Sequence, residues 1–280
     1  MIMRRQILSV LSVMGMAVSL SSPAWADSVT IGSLADATIF QNNVNNSNGG
    51  GPGIFSGGNA GAGPARRGLI SFDIAGAVPT GATITDVAMT LVLGQSAGSG
   101  GTGGAGDSTP RTISLFAVTD AWGEGTTPVS ATIGGTGQGV AASPGDATWN
   151  QRMFGSVNWT TPGGDHVATA SASLAVNNVF QGAYTWGSTA QLVADVQNWL
   201  NNPSANFGWE MINNDESGSQ TFRSFYTKEW SDASMRPQLM ITYLAPVPVP
   251  AALWLFGSGI VGLVGLARRK AAGNRARGQA

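Results

Sequence analysis

The chain has 280 residues, of which 42% are hydrophobic and only 10% charged, so it can bury a sizeable core. It has no cysteine, which excludes disulfide bonds, a thiol nucleophile and cysteine metal sites. Residues 27–236 contain all fifteen acidic residues but only seven basic ones, a balance near −8 that disfavours binding to nucleic acid.

Residues 1–26 are predicted to be a signal peptide. Arg4 and Arg5 precede an apolar run over 7–20, and Ala24-Trp25-Ala26 has the small-residue pattern of a cleavage site. We therefore expect the mature chain to begin at Asp27, the alternative being an uncleaved anchor. Both readings predict export across the inner membrane.

Short apolar runs predict strands at 29–31 and 37–40. Residues 41–63 are rich in asparagine and glycine and have no period, which predicts a loop. The clearest alternation lies in 65–93, where a break at Pro79-Thr80-Gly81 separates two strands. Their apolar positions are Ile70, Phe72 and Ile74 in the first strand, and Val87, Met89, Leu91 and Leu93 in the second.

The rest of the chain predicts further strands and one helix. A second glycine-rich loop covers 94–107, and 122–161 is rich in loops apart from 147–154. Further strands are predicted at 111–119, 167–180, 207–212, 221–226 and 237–243. The helix has an apolar stripe, a capping box and a proline just past its end. The stripe is Leu192, Val193, Val196, Trp199 and Leu200, the box is Ser188 and Gln191, and the proline is Pro203.

Many short strands, long polar loops and a single helix favour an all-β domain over 27–245. We expect a two-layer antiparallel β-sandwich with a jelly-roll-like strand order.

Seven sequence blocks in this domain resemble the DNRLRE domain family in their order. They are ADATIF (35–40), RRGLISFDI (66–74), PTGATITDVAMTLVL (79–93), VTDAWGEG (118–125), TWN (148–150), LVADVQNWLNNPSANFGWEM (192–211) and RPQLMITY (236–243). The resemblance implies a noncatalytic β-sandwich module of secreted proteins, with a role in glycan binding or surface display. This chain departs from the family pattern in its insertions at 41–63 and 126–146.

Residues 246–280 are predicted to be a sorting signal. Residues 251–267 are uncharged and just long enough to span a bilayer as a helix, and Arg268, Arg269 and Lys270 would stop transfer on the cytoplasmic side. This region resembles the PEP-CTERM class, in particular its Val-Pro-Leu-Pro-Ala variant, although it has no glutamate between the prolines. The resemblance implies an exosortase-type membrane protease as a partner, and the alternative is a permanent anchor. The motif positions are Val247, Pro248, Val249, Pro250 and Ala251.

Candidate catalytic and metal groups are few. Ser96 lies in a G-x-S-x-G run and His166 is the only histidine, with Asp107 or Asp146 as the third group, but glycine-rich sequence replaces the helix that a nucleophile elbow needs. A lone histidine without cysteine disfavours zinc. Carboxylate and amide oxygens at Asn213, Asn214, Asp215 and Glu216 suit calcium, the alternative being a solvated turn.

Aromatic residues are the other candidate binding groups. Flat indole rings stack well on the apolar faces of sugars. Trp122, Trp149, Trp199 and Trp209 are interpreted as core residues, which leaves Trp159, Trp186 and Trp230, with Tyr226, as a predicted glycan surface.

Three functions follow as hypotheses. The first is an exported, noncatalytic protein of the cell envelope or extracellular matrix that binds or organises polysaccharide, with calcium as a structural ion. The second is a structural or adhesion protein of the matrix without glycan binding. The third is a secreted hydrolase that uses Ser96 and His166.

Overall fold

The computed structural model describes residues 25–59, 64–100, 103–127, 132–133 and 137–246. The predicted signal peptide up to Ala24, the sorting motif, the membrane span and the basic tail all lie outside these residues. Within the described ranges, no helix combines the length and the hydropathy needed to cross a bilayer.

The described part of the chain is mostly β-structure, and ten of its strands form one large antiparallel sheet. The strands are β1 (Ala26–Phe40), β2 (Asn46–Ser47), β3 (Gly53–Gly58), β4 (Ala65–Phe72), β5 (Thr83–Ser96), β6 (Arg111–Ala117), β7 (Val140–Ala141), β8 (Gln151–Met153), β9 (Val157–Asn158), β10 (Ala172–Val176), β11 (Ala183–Trp186), β12 (Trp209–Asn213), β13 (Arg223–Tyr226) and β14 (Gln238–Leu244).

The order of strands in the large sheet is β1-β14-β5-β13-β3-β4-β12-β6-β10, and β11 pairs with β5. Strand β1 changes partners along its length, since its first half pairs with β14 and its second half, after a bulge, pairs with β4. The pairing between β1 and β4 therefore joins two distant positions of the strand order. Two small sheets, β2-β7 and β8-β9, lie in the connections.

Two α-helices occur in the described residues, the one-turn α1 (Ile74–Ala77) and α2 (Ala190–Asn201). Helix α2 matches the predicted helix, and its predicted stripe packs in the main core, with Val193 at the margin. The predicted capping box is wrong by one residue. Thr189 is the N-cap and accepts a hydrogen bond from the Leu192 amide at 3.0 Å, whereas Ser188 accepts from the Val87 amide on β5.

The main core encloses the alternating apolar residues that the sequence predicts on β4 and β5. All seven, from Ile70 to Leu93, are buried in one cluster with residues of β6, β12, β14 and α2. A second, smaller cluster includes Ile39, Leu69, Trp149 and Trp159. Strand β4 contributes to both clusters, which places its polar side chains beside a packed interior.

The prediction of a loop over 41–63 is wrong for Gly53–Gly58, which form the fully buried strand β3. Ile54 and Phe55 supply its apolar contacts. Its glycines allow close approach of neighbouring backbone, since a Cβ at Gly58 would lie 2.0 Å from the carbonyl oxygen of Gly218. The glycine-rich sequence did not indicate this strand, because β3 packs closely against its neighbours at glycines, which have no side chain. The predicted loop at 94–107 likewise begins inside β5.

Candidate functional site

An open cavity of about 500 Å³ lies beside the start of β4. We call it the Arg67 groove. Its walls combine one indole ring with amide, hydroxyl, guanidinium and carboxylate groups. The side chains that line it include those of Gln41, Arg67, Trp149, Glu216 and Ser217.

Arg67 organises the groove through four contacts. Its Nε and Nη2 donate to the two carboxylate oxygens of Glu216, each at 2.8 Å, and its Nη1 donates to the Gly163 carbonyl at 2.9 Å. Its guanidinium also lies 5.3 Å from the ring centroid of Trp149. Burial lowers the pKa of Arg67, but Glu216 and Glu210 outweigh that effect and raise the pKa above its ordinary value. Arg67 is therefore a fixed cation at the floor of the groove.

A buried glutamate connects this groove to the only histidine. Glu210 lies on β12 and is fully buried. One of its oxygens is 3.7 Å from Arg67 Nη1, and the other is 2.6 Å from His166 Nδ1. Burial raises the pKa of Glu210 above its ordinary value, while His166 and Arg67 act to lower it. The Glu210 carboxylate thus lies between the side chains of Arg67 and His166 and contacts both.

The backbone just before His166 comes close to Glu210 because Gly164 has no side chain. Gly164 has a φ of +108°, and a Cβ there would lie 2.5 Å from a Glu210 carboxylate oxygen. His166 is held beside the end of β6, since it bridges Val118 and the Val167 amide donates to the Ala117 carbonyl at 2.8 Å. Local glycine and sheet pairing therefore fix the geometry.

A second open cavity, of about 460 Å³, lies on the His166 side. It is lined by hydroxyl, carboxylate and imidazole groups from Thr119, Asp120, Thr160, Thr161, Asp165 and His166. The Asp165 carboxylate accepts from the amides of Thr160 and Thr161 at 2.6 and 2.8 Å, which fixes the loop. Segment 160–166 thus contributes to the second cavity and, through Gly163, holds Arg67 at the first. Both cavities offer hydrogen-bonding groups suited to a hydroxyl-rich ligand.

The predicted aromatic glycan surface is not present as such. Trp159, Trp186 and Tyr226 are all buried, and the Nε1 groups of the two tryptophans donate to backbone carbonyls at 2.9 and 2.8 Å. Trp230 is half-buried and packs against Tyr226 with 4.4 Å between ring centroids. Trp186 and Tyr226 are buried because they end strands β11 and β13 of the large sheet, whereas Trp159 follows β9 and packs in the second cluster.

The loop predicted for calcium is occupied by protein contacts. Asp215 accepts from Arg111 Nη1 at 2.7 Å, Glu216 pairs with Arg67, and Asn214 accepts from the Thr112 amide at 3.0 Å. Asn213 is buried and accepts from the Asp215 amide. The oxygens expected to bind an ion are thus engaged by arginines and backbone amides.

The predicted hydrolase pair is not brought together by hydrogen bonds. Ser96 is fully buried, and its hydroxyl accepts from the Gly106 amide at 2.6 Å. His166 has Glu210 as its ion-pair partner. Asp107 pairs with Arg111 and Arg223, and Asp146 accepts from Thr127 and Ser143.

Sequence reasoning missed Arg67 and Glu210 as site residues. Each is a charged residue among apolar ones in a short strand, and a charge in such a run is the signal that could have marked them. Trp149 was interpreted as a core residue; it is buried, and it also lines the groove.

Among the described residues, one group of three acidic side chains has the spacing of a metal site: Asp36, Glu124 and Glu229. It lies apart from the residues that line either cavity. No protein-family model matches this sequence, and no curated protein matches it either.

Proposed function

We propose that this chain is an exported, noncatalytic module that binds polysaccharide through the Arg67 groove. The observation that carries the proposal is the groove itself, an open cavity in which an indole ring adjoins a fixed network of guanidinium, carboxylate, amide and hydroxyl groups. Polysaccharides present many hydroxyl groups and apolar ring faces, and this combination of side chains complements both.

We propose the finer architecture as a two-layer β-sandwich with a jelly-roll-like order, as expected for a DNRLRE-like domain. The change of partners along β1 supports this arrangement, since one strand contributes to two sets of neighbours. The main core also supports it, because buried residues of β5 and β14 share one cluster with those of β4, β6 and β12. In such a fold, the connecting loops form the binding surface.

The chain's acidic balance favours a neutral or cationic glycan over an anionic one. Residues 27–236 contain fifteen acidic and seven basic side chains, so anionic polymers would be repelled at long range. The glycan would form hydrogen bonds with Gln41 and Ser217, which are both exposed at the groove.

Location and processing belong to the same proposal. We propose export by the signal peptide, membrane retention through 251–267, and recognition of the Val247–Ala251 motif by an exosortase-type protease. Intact mass of the protein recovered from the envelope tests the two cleavages, because removal of the signal peptide and of the sorting signal each takes away a defined segment. A mass equal to that of all 280 residues would contradict the processing scheme.

Glycan binding is tested by blocking the groove without disturbing the core. Ser217 is exposed and lines the groove, so Ser217→Trp should fill the cavity while leaving the fold unchanged. Ser219→Trp is the matched control, because Ser219 is exposed two positions away and does not line the groove.

The readout is retardation of the purified protein in native gels that contain soluble β-glucan, xylan, mannan or alginate. We expect a neutral glycan to retard the wild type and Ser219→Trp, and Ser217→Trp to lose about 10-fold or more in affinity. Equal retardation of both variants would reject the groove. No retardation by any polymer would favour the structural or adhesion role, and release of reducing ends would favour a hydrolase.

A further inference from the structure

Three carboxylates from distant parts of the chain meet at the end of β1. Asp36 comes from β1, Glu124 from the segment after β6, and Glu229 from the segment after β13. One oxygen of each lies within 4.8 Å of the others. Asp36 is buried and only 1% exposed, whereas the other two are partly exposed, so the cluster is open to solvent on one side. We call these three side chains the Asp36 cluster.

The hydrogen bonds of the cluster leave two buried oxygens without a partner. Asp36 Oδ2 accepts from Ser33 Oγ at 2.9 Å and from the Lys228 amide at 3.2 Å. Glu124 Oε1 accepts from the Asp36 amide at 2.8 Å. Asp36 Oδ1 and Glu229 Oε2 are buried and unpaired. Because an unpaired buried oxygen costs free energy, these atoms mark a position for a missing ligand.

The charge of the cluster points to the same conclusion. Lys228 is the cation in contact with it, with Nζ 3.0 Å from Glu124 Oε1 and 2.5 Å from Glu229 Oε1. Lys228 Nζ contacts only Glu124 and Glu229, and the buried Asp36 carboxyl forms no ion pair among the described residues. A divalent cation would match the uncompensated charge.

We propose that Asp36, Glu124 and Glu229 bind a hard divalent cation of the calcium type. All the donors are carboxylate oxygens, which favour such ions over softer transition metals. Oxygen ligands of calcium lie about 2.3–2.6 Å from the ion, so one ion can bridge oxygens within the observed separation. Lys228 Nζ occupies the solvent side and competes with the ion, and water supplies the remaining ligands.

The bound ion would act as a cross-link. Asp36 is 88 residues from Glu124 and 192 residues from Lys228, whose neighbour Glu229 completes the site. An ion held by all three would tie three segments together in a chain that has no disulfide bond. The site is independent of the glycan groove, since none of its three ligands lines either cavity.

The test is calcium-dependent thermal unfolding of the full chain, purified in mild detergent and stripped with a chelator. We expect calcium at about 100 times its Kd to raise Tm by roughly 5–10 °C. Extracellular calcium modules bind with Kd of about 0.1–1 mM, so a titration to about 100 mM covers the range, with magnesium as the comparison ion.

Three variants locate the effect. Asp36→Asn and the partly exposed Glu229→Gln should each lose most of the calcium-induced shift, and the second should do so with little risk to folding. Lys228→Met should bind calcium several-fold more tightly, because the internal competitor is gone. Asp215→Asn, in the loop that the sequence predicts for calcium, should keep the wild-type shift.

Direct binding by isothermal titration separates the outcomes. Binding that Asp36→Asn and Glu229→Gln abolish supports the site. The proposal would be overturned by a wild type with no calcium-induced shift and no binding heat, or by ligand variants that both keep the full wild-type shift. Glycan binding tests the Arg67 groove and calcium binding tests the Asp36 cluster. A negative result in one experiment therefore does not affect the interpretation of the other.

Discussion

Two acidic regions of this molecule differ in how their charge is compensated. In the loop 213–216, Asp215 pairs with Arg111 and Glu216 forms a bidentate pair with Arg67. In the Asp36 cluster, three carboxylates share one lysine. The acidic and amide residues that are neighbours in sequence therefore form a loop whose carboxylates are paired with arginines. The carboxylates that lack such partners come from residues far apart in sequence.

The pKa directions show the same contrast. Burial alone would raise the pKa of Asp107, which neighbours the arginine-paired loop, but Arg111, Thr109 and Arg223 outweigh it and lower the pKa to about 2. Burial and the charge of Glu229 raise the pKa of Asp36. The proposed cation site therefore depends on which carboxylates the fold leaves without a partner, and not on the sequence proximity of acidic residues.

The largest effect is expected from Arg223→Met in the compensated region. The Arg223 side chain is fully buried, pairs with Asp107, and donates to the carbonyls of Asn177 and Thr109 at 2.8 and 2.6 Å. Its removal takes one of two arginine partners from Asp107 and leaves the Asn177 and Thr109 carbonyls without this donor, which should lower the free energy of unfolding by about 3–5 kcal/mol. Urea denaturation measures this.

Arg236→Met is the control for Arg223→Met. Arg236 is partly exposed, and its Nε donates to the Trp230 carbonyl at 2.7 Å. Loss of that bond should cost only about 0.5–1.5 kcal/mol. If the two variants were equally stable, compensation of buried charge would not be what holds the Asp107 region together.

A smaller effect, which calcium should reverse, is expected from Lys228→Met. Without the lysine, Glu124 and Glu229 lose their cation and repel each other and Asp36, which should cost about 1–2 kcal/mol in the ion-free protein. Chemical denaturation with and without calcium measures both states. A deficit that persists at saturating calcium would show that lysine and ion do not serve the same role.

The pH dependence of stability should have opposite signs in the two regions. Asp36 has a raised folded pKa, so its contribution to stability is fully present below its unfolded pKa and is lost as pH rises through the folded value. Asp107 has a folded pKa of about 2, so its contribution is present above its unfolded pKa and is lost as pH falls toward 2.

Matched asparagine variants test those signs. In the absence of calcium, Asp36→Asn should gain stability over the wild type as pH rises, on the order of 1 kcal/mol at neutral pH. Asp107→Asn should lose stability at neutral pH and approach the wild type near pH 2. Unfolding curves at several pH values measure both, and parallel profiles would contradict the contrast.

The sequence predicted the framework and missed the sites for one physical reason. Alternation within a strand is local, so Ile70 and Phe72 on β4 and the stripe of α2 could be recognised from neighbouring residues. Strand β3 was missed because its packing depends on glycines meeting other segments. The Asp36 cluster was missed because its hydrogen-bond partners lie 88 and 192 residues away.

Tryptophan burial illustrates the same limit. Trp186 follows a polar segment in sequence, yet its ring lies in the main core and its Nε1 donates to the Ile113 carbonyl on β6. Polar neighbours in sequence do not predict polar neighbours in space, because a residue beside a polar segment can pack against a strand that is distant in sequence. Likewise, the contact between Trp149 and Arg67 identifies Trp149 as a groove residue, and the sequence gives no sign of that contact.

The smallest effect is expected from Glu216→Gln, which removes one charge from the arginine-paired loop. The side chains of Arg67 and Glu216 are 19% and 20% exposed, so solvent weakens their pairing and the loss should be only about 0.5–1 kcal/mol. Arg67 would keep Glu210 and the Gly163 carbonyl as partners. The calcium-induced rise in Tm should match that of the wild type, since Glu216 is not in the Asp36 cluster. A Tm that no longer responded to calcium would instead place the ion in the loop that the sequence first suggested, and would reverse the comparison between the two regions.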